Sequence, residues 1–337
     1  MTVLYVASDE PGAGKTAFAT TLAYDLISHG KKVHVIKPLS DTYNDHEIYT
    51  KLLDEVAPTK SVTTGQGTLN ADLLSQVSDI CTKTAENSDV VIVEGPGEIS
   101  PKENGQIANA LNATVVLLTR HIFGKDPKTV ASYAAEFDDR LAGIIVNGRT
   151  EYQDTEVSCS FIPELSEINI PTLGIIPEDR LLLSCTIGAI AQHLSGSFLT
   201  SDLNEEEYSD RLVEDFMVGG LGLDWGVLYF GIRENKAVVV RGDRPDVQMS
   251  ALDTPCSLMI LTDGITPIEY VLHEATLHEV PLAVVETNTL ETMDALNNLQ
   301  DTASFDHIEK VSRFHDLLTA HADLTPVLDR LGLPVLV

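Results

Sequence analysis

Val3-Leu4-Tyr5-Val6-Ala7-Ser8 runs straight into Asp9-Glu10-Pro11-Gly12-Ala13-Gly14-Lys15-Thr16, and this stretch decides the fold. The apolar run reads as a buried strand. The glycines and proline read as a loop, and Lys15 opens a helix on which Phe18, Leu22 and Leu26 recur every fourth residue. Strand, glycine loop and helix in that order form a phosphate cradle. Backbone N–H groups close around an anion, and the helix N-terminus adds the positive end of its dipole. The cradle is expected at Gly12, Ala13, Gly14, Lys15, Thr16 and Ala17, with Lys15 reaching terminal phosphates and the Thr16 hydroxyl ligating Mg²⁺. Asp9 stands where the G-x-x-x-x-G-K-T pattern has its first glycine.

Outward from the cradle, Gly30 closes the helix. Lys32 to Ile36 reads as a second strand that delivers Lys37 to the ligand end of the sheet. Asp45 opens a further helix, where it either caps the turn or helps hold Mg²⁺. His46 reads as a surface residue. Residues 57–68, rich in Thr, Gly and Ser, read as a loop. Asp89 to Val93 is a continuous apolar run that presents Glu94 before Gly95-Pro96-Gly97. A carboxylate at that strand end is placed to hold Mg²⁺ against phosphates. Further strands are expected at Ala113–Thr119, Leu141–Val146 and Pro171–Ile176. Asn147 follows the second of them, where its amide either reads an adenine edge or caps a turn. Strands alternating with helices imply a parallel α/β sheet with helices on both faces.

An acidic run, Asp202 to Asp210, marks a shift in composition and reads as a linker or helix start. Beyond it comes a second, smaller α/β pattern. Strands are expected at Val227–Gly231, Ala237–Val240, Ser257–Leu261 and Leu282–Val285. Helices are expected at Ile268–Thr276, Leu290–Asp301 and Asp306–Ala322. The expected domains are 1–195 and 196–337.

Composition narrows the function. The 337 residues carry a net charge of −29, which argues against nucleic acid as a partner. No apolar run is long enough for a membrane span, and Met1-Thr2 leads into a strand without a basic leader. Four scattered cysteines suggest neither a metal site nor a disulfide framework, and a cytoplasmic location is the simplest reading. Cys256 lacks a nucleophile elbow and reads as a core thiol. The scattered histidines, His273 and His278 included, suggest no zinc site.

Five ordered signals carry a resemblance: Ser8-Asp9-Glu10-Pro11 before Gly14-Lys15-Thr16, Lys37-Pro38, Val93-Glu94-Gly95-Pro96-Gly97, Val146-Asn147 and Leu173-Gly174-Ile175-Ile176-Pro177-Glu178. Together they resemble the dethiobiotin synthetase-like P-loop domain, also found in the N-terminal part of long phosphotransacetylases. Val240 to Gln248, followed by Leu261-Thr262-Asp263-Gly264, resembles the DRTGG domain. Arg244-Pro245 stands where that family has Arg-Thr-Gly-Gly. The resemblance implies ATP and Mg²⁺ as cofactors, held by Lys15, Thr16 and Glu94. It implies that Lys37 stabilises a carboxylate or carbamate being phosphorylated, that Asn147 contacts the base, and that the domain pairs as a homodimer. Glu10 stands where a MinD-type loop has its signature Lys, which disfavours a MinD-type dimer switch. Lys37-Pro38-Leu39-Ser40-Asp41 lacks the Thr-Gly that follows Lys-Pro in dethiobiotin synthetases, which argues against their substrate. In the DRTGG-like turn, Asp243, Arg244 and Asp246 form either a structural ion-pair network or a small-effector site with Arg244 as anion binder.

The expected function is therefore an ATP·Mg²⁺-dependent regulator or sensor, answering to a small-molecule effector or a metabolic enzyme. The alternative is an ATP-dependent carboxylate ligase or cyclase. A complete phosphotransacetylase is not expected, because the catalytic domain that would follow has no counterpart here. A scaffold that keeps the fold without nucleotide is a third reading, opposed by the intact Gly14-Lys15-Thr16 and Glu94.

Overall fold

The computed structural model describes residues 2–39, 45–53, 69–97, 99–120, 123–199, 204–220 and 223–334. The chain divides into two compact units. The first comprises Met1–Glu178 with Phe305–Val337, and the second is Asp179–Ser304.

In the first unit, strands β1 (Val3–Ser8), β2 (Val33–Ile36), β3 (Val90–Glu94), β4 (Thr114–Arg120), β5 (Leu141–Arg149) and β6 (Thr172–Pro177) form one sheet. Their order is β2-β3-β1-β4-β5-β6, and every pairing is parallel. β1 and β3 are buried along their whole length, as continuous Val/Ile/Leu runs covered on both faces should be. The helices are α1 (Lys15–Ser28), α2 (Asp45–Leu53), α3 (Ala71–Ala85), α4 (Pro101–Ala110), α5 (Pro127–Ala134), the single turn α6 (Asp154–Glu156) and α7 (Ile162–Glu167). The odd-numbered β1 side chains Val3, Tyr5 and Ala7 join Val77, Ile107, Val130 and Phe161 in one core layer. The loops after β1 and β4 leave towards opposite edges of the sheet, so a crevice opens at the carboxyl end of β1. The segment 57–68 lies outside the described residues.

Among the described residues, the second unit holds one short strand pair and one main sheet. β7 (Cys185–Thr186) and β9 (Leu212–Val213) pair antiparallel. β8 (Ser197–Phe198) joins β10 (Asp215–Val218), β11 (Lys236–Arg241), β12 (Cys256–Thr262) and β13 (Leu282–Val284) in the order β10-β11-β12-β13-β8, with only β8 antiparallel. Its helices are α8 (Ile187–His193), α9 (Glu205–Ser209), α10 (Leu223–Phe230), α11 (Pro245–Leu252), α12 (Glu269–Leu277) and α13 (Thr289–Asp301). Alternation splits the sheet into two layers. Val238, Val240, Met259 and Leu261 pack with Phe230 and Val247, while Ala237, Val239, Leu258 and Ile260 pack with Ile187, Ile190 and Leu296. The acidic run is a helix start: Asn204 caps α9 and the glutamates fill its first turn.

Three expectations are corrected. Val227–Gly231 is not a strand, because Leu223–Phe230 is helical. The apolar run there has a four-residue rhythm, with Gly226 and Phe230 buried and Val227 and Leu228 facing out. The division near 195 moves to Glu178/Asp179, because Cys185, Ile187 and Ile190 lie in the second unit's core. Residues 305–337 do not belong with the second unit either. They form α14 (Ile308–His321) and α15 (Thr325–Leu331), and return to the first unit.

That return is built on a close backbone approach. The Asp323 amide donates to the Leu173 carbonyl at 2.7 Å, and Gly174 bridges Ala322. A Cβ on Gly174 would sit 2.4 Å from the His321 carbonyl oxygen, so only glycine fits. Val311 and Phe314 of α14 are fully buried, and Arg330 donates to the Asp139 carbonyl at 2.6 Å. Phe314→Ala is expected to cost about 3–5 kcal/mol. Native-state hydrogen exchange should place the loss in α1 and β6, leaving β11 and β12 protected. Loss of protection confined to β11 and β12 would instead assign α14 to the second unit.

Candidate functional site

The site grows from the end of β1. Gly12 and Gly14 have φ of +71° and +98°, a left-handed backbone that side chains resist. Gly14 is the N-cap of α1, and no side chain caps that helix. The first turn of the helix therefore begins directly on the glycine loop. A Cβ at Gly14 would lie 2.3 Å from Asn147 Nδ2. The lack of one lets the Asn147 amide donate to the Ala13 carbonyl at 3.0 Å. Asn147 therefore braces the loop from the end of β5.

Lys15 is buried and folds back to donate to Ser8 Oγ at 2.7 Å. Ser8 Oγ donates in turn to the Glu10 carbonyl, also at 2.7 Å. The first-glycine position of the motif has a different use. Asp9 accepts from Thr119 Oγ1 at 2.9 Å and pairs with Lys125 Nζ at 2.8 Å. The same ammonium reaches Glu10 Oε1 at 2.8 Å. Two carboxylates in a would-be anion loop are thus drawn away onto one cation beyond β4.

Glu94 is the second focus. It is 1% exposed. Its Oε1 accepts from Thr16 Oγ1 at 3.2 Å and pairs with Lys37 Nζ at 3.0 Å, and its Oε2 accepts from the Tyr49 hydroxyl. The tertiary fold thus brings Thr16, Lys37 and Glu94 together. Asp45 opens α2, but its side chain lies outside the described residues, as does that of His46. Behind Glu94, Tyr5 donates to Asn104 Oδ1, and Asn104 Nδ2 donates to the Tyr133 hydroxyl, each at 2.5 Å. A Cβ on Gly95 would lie 2.7 Å from the Tyr5 hydroxyl. Burial pushes the Tyr5 hydroxyl well above its ordinary pKa and that of Tyr133 up to about 12. Both stay neutral, Tyr5 donating to Asn104 and Tyr133 accepting from it, and the Tyr5 hydroxyl packs against Gly95.

Sequence reasoning missed Tyr49 and Lys125. Tyr49 sits in an unremarkable helix, and only tertiary packing buries it. Lys125 had one available signal, since two loop carboxylates call for a cation nearby.

The DRTGG-like turn resolves into ion pairs. Arg241 grips Asp243, and Arg244 grips Asp246, each through two hydrogen bonds of 2.9 Å. These bonds hold both carboxyls below the usual carboxylate range. Gln248 is fully buried and donates to the carbonyls of Arg241 and Gly242. Gly242 is required, because a Cβ there would lie 1.9 Å from the Ile265 carbonyl oxygen.

With this geometry in place, family relationships can be read. A family model described as an AAA domain matches residues 2–184, and one described as a DRTGG domain matches 189–299. The chain belongs to the AAA domain family. Its P-loop domain is of the dethiobiotin synthetase-like kind and is followed by a DRTGG domain. This AAA-domain protein is 24% identical to the phosphate acetyltransferase of Deinococcus radiodurans, over 99% of this chain and 52% of that protein. It is 22% identical to the Pseudomonas aeruginosa phosphate acetyltransferase, over 99% of this chain and 53% of that protein. The chain thus spans about half the length of these curated relatives. It is also 23% identical to the ATP-dependent dethiobiotin synthetase of Bacillus subtilis subsp. natto, over 59% of this chain and 97% of that protein. Among solved structures, the CBS and DRTGG domains of a Clostridium perfringens pyrophosphatase, complexed with diadenosine tetraphosphate, align with TM-score 0.30 and 18% identity. They cover 40% of this chain and 53% of that one. The MinC:MinD cell division complex of Aquifex aeolicus aligns with TM-score 0.39 and 16% identity, over 54% of this chain and 84% of that one. At these TM-scores neither likeness bears on function. Among the described residues, no helix is long and apolar enough to cross a membrane.

Two substitutions test the site's internal order. Tyr49→Phe removes one donor from a buried carboxylate and is expected to cost about 1–3 kcal/mol in urea unfolding. Lys125→Met strands Asp9 and Glu10 and is expected to cost about 3 kcal/mol. Lys125→Arg should recover part of that loss. Unchanged stability in Lys125→Met would mean that solvent already neutralises the pair.

Proposed function

We propose that the first unit binds a nucleoside triphosphate with Mg²⁺ and that the chain acts as a nucleotide-dependent regulator or sensor. One observation carries the reading. Thr16, Lys37 and Glu94 converge beside a helix N-terminus that no side chain caps, whose loop glycines are left-handed and where Lys15 folds back onto Ser8. In this reading the loop amides and Lys15 take the phosphates, and Lys37 is a second cation facing the anion. That local positive charge matters in a chain of net charge −29. ATP is the proposed nucleotide because the relative from Bacillus subtilis is ATP-dependent by name.

The donor set fits Mg²⁺. Thr16 Oγ1 and Glu94 Oε1 lie 3.2 Å apart, close to the spacing of about 2.9 Å between neighbouring oxygens on an octahedral ion with bonds near 2.0–2.1 Å. Among the described residues no group of three or more His, Cys, Asp or Glu side chains could cage a metal. Mg²⁺ suits such a site, since it is held by one or two protein oxygens together with phosphates and water. When bound, it would supply charge neutralisation on the phosphate oxygens. Tyr49 and the Gly95 turn hold the Glu94 carboxylate in register, and Asn147 keeps the loop open by anchoring Ala13.

A regulatory role is supported by the pairing of this domain with a DRTGG domain, a pairing that the phosphate acetyltransferase relatives match across 99% of this chain. No effector is proposed at the DRTGG-like turn, because its arginines and aspartates satisfy one another. A second reading, an ATP-dependent carboxylate ligase, is favoured by Lys37, which stands beside Glu94 where a phosphorylated carboxylate would need a cation. Nucleotide hydrolysis stimulated by one carboxylate metabolite would favour the ligase.

Lys15→Ala removes a charge-assisted contact worth about 1.5–3 kcal/mol, so it should weaken ATP binding in calorimetry by one to two orders of magnitude. Thr16→Val should weaken binding only when Mg²⁺ is present. Equal affinity in wild type and Lys15→Ala would remove the phosphate site.

A further inference from the structure

The far half of α1 borders a groove that neither the cradle nor the DRTGG-like turn uses. Two cavities of about 180 and 380 Å³ meet there, sharing Asp25, His315 and Thr319 as walls. Leu22, Leu318 and Leu328 line the smaller one. All these residues belong to the first unit, on α1, α14 and α15.

Three observations give the groove a chemistry. Thr21 lines it, is 1% exposed, and its Oγ1 has no hydrogen-bond partner. A threonine inside a helix ordinarily returns its hydroxyl to the preceding turn, so this one is an unsatisfied polar group in the groove wall. Asp25 has only loose partners: Oδ1 lies 3.4 Å from His315 Nε2 and 3.4 Å from His29 Nδ1. Those separations exceed an ordinary hydrogen bond, and the close contact of His29 Nδ1, at 2.8 Å, is to the Asp25 main-chain carbonyl. Asp323 adds a second carboxylate to the lining, held below the usual range by hydrogen bonds from Thr325. No lysine or arginine lines the smaller cavity.

We propose that this groove is a binding site for a small organic amine, its ammonium on Asp25, its apolar body against Leu22, Leu318 and Leu328, and the Thr21 hydroxyl meeting a polar atom of the ligand. An anion is excluded by the two carboxylates and by the field of a chain of net charge −29. The volume sets the size of the body, since a cavity of about 150 Å³ holds a benzene ring. The groove lies along α1 from the cradle, with Asp25 about 15 Å of helix rise beyond Lys15. Its occupancy can therefore be measured without nucleotide and stands whatever the cradle binds.

The test is titration of the full chain with n-butylamine, followed by NMR chemical-shift perturbation at low salt and mildly alkaline pH, with butyrate and butanol as matched controls. Saturable shifts confined to α1, α14 and α15 are expected for the amine, with butyrate inert. Asp25→Asn should weaken binding at least tenfold, and the cavity-filling Leu328→Trp should abolish it. Thermal unfolding of each variant shows that it is folded, and Thr21→Val supplies an isosteric second probe with a smaller expected loss. Non-saturating shifts, equal binding of butyrate, or unchanged affinity in folded Asp25→Asn would each overturn the proposal.

Discussion

The buried carboxylate of Glu94 is the constraint around which the first unit is arranged. A carboxylate taken out of water is tolerable only where donors satisfy its oxygens. Here the donors come from three separate segments: Thr16 at the start of α1, Lys37 after β2 and Tyr49 in α2. Meeting that requirement fixes the helix after the loop, the neighbouring strand end and α2 relative to one another. The Tyr5–Asn104–Tyr133 chain packs behind the neighbouring Gly95, where the Tyr5 hydroxyl leaves no room for a Cβ. Stability and the geometry of the proposed phosphate site are thus met by the same contacts.

The loop poses an electrostatic problem of its own. An acidic chain with Asp9 and Glu10 beside its glycines should repel phosphate. The fold answers by drawing both carboxylates onto Lys125, with Thr119 as a further donor to Asp9. Lys15 is held instead on Ser8, at the end of β1. Sorting charge by direction lets one short loop carry acids and still present donors. The second unit settles its charges more locally: two Arg-x-Asp pairs close on themselves around a glycine that cannot be replaced.

Much of this was legible in the residues. Parallel strands buried on both faces must be continuous apolar runs, so β1, β3, β4 and β5 stood out. Gly14-Lys15-Thr16 and Glu94 stood out because each follows a buried apolar run at a strand end. Val227–Gly231 was misread because a run of apolar residues four or five long carries no period of its own. What made it helical was the burial of Phe230 against α11. The C-terminal helices were assigned to the wrong unit because proximity along the chain is a poor guide once a segment can return across a sheet edge.

By itself, the sequence determined the α/β class and most element types, since both depend on neighbours within a few positions. Tertiary structure alone decided that Tyr49 faces Glu94, that Lys125 faces Asp9 and Glu10, and that α14 closes on β6 at Gly174. The physical reason is range. Periodicity, capping and loop glycines act through local backbone geometry, whereas a buried charge chooses its partner from whatever the completed fold brings within about 4 Å.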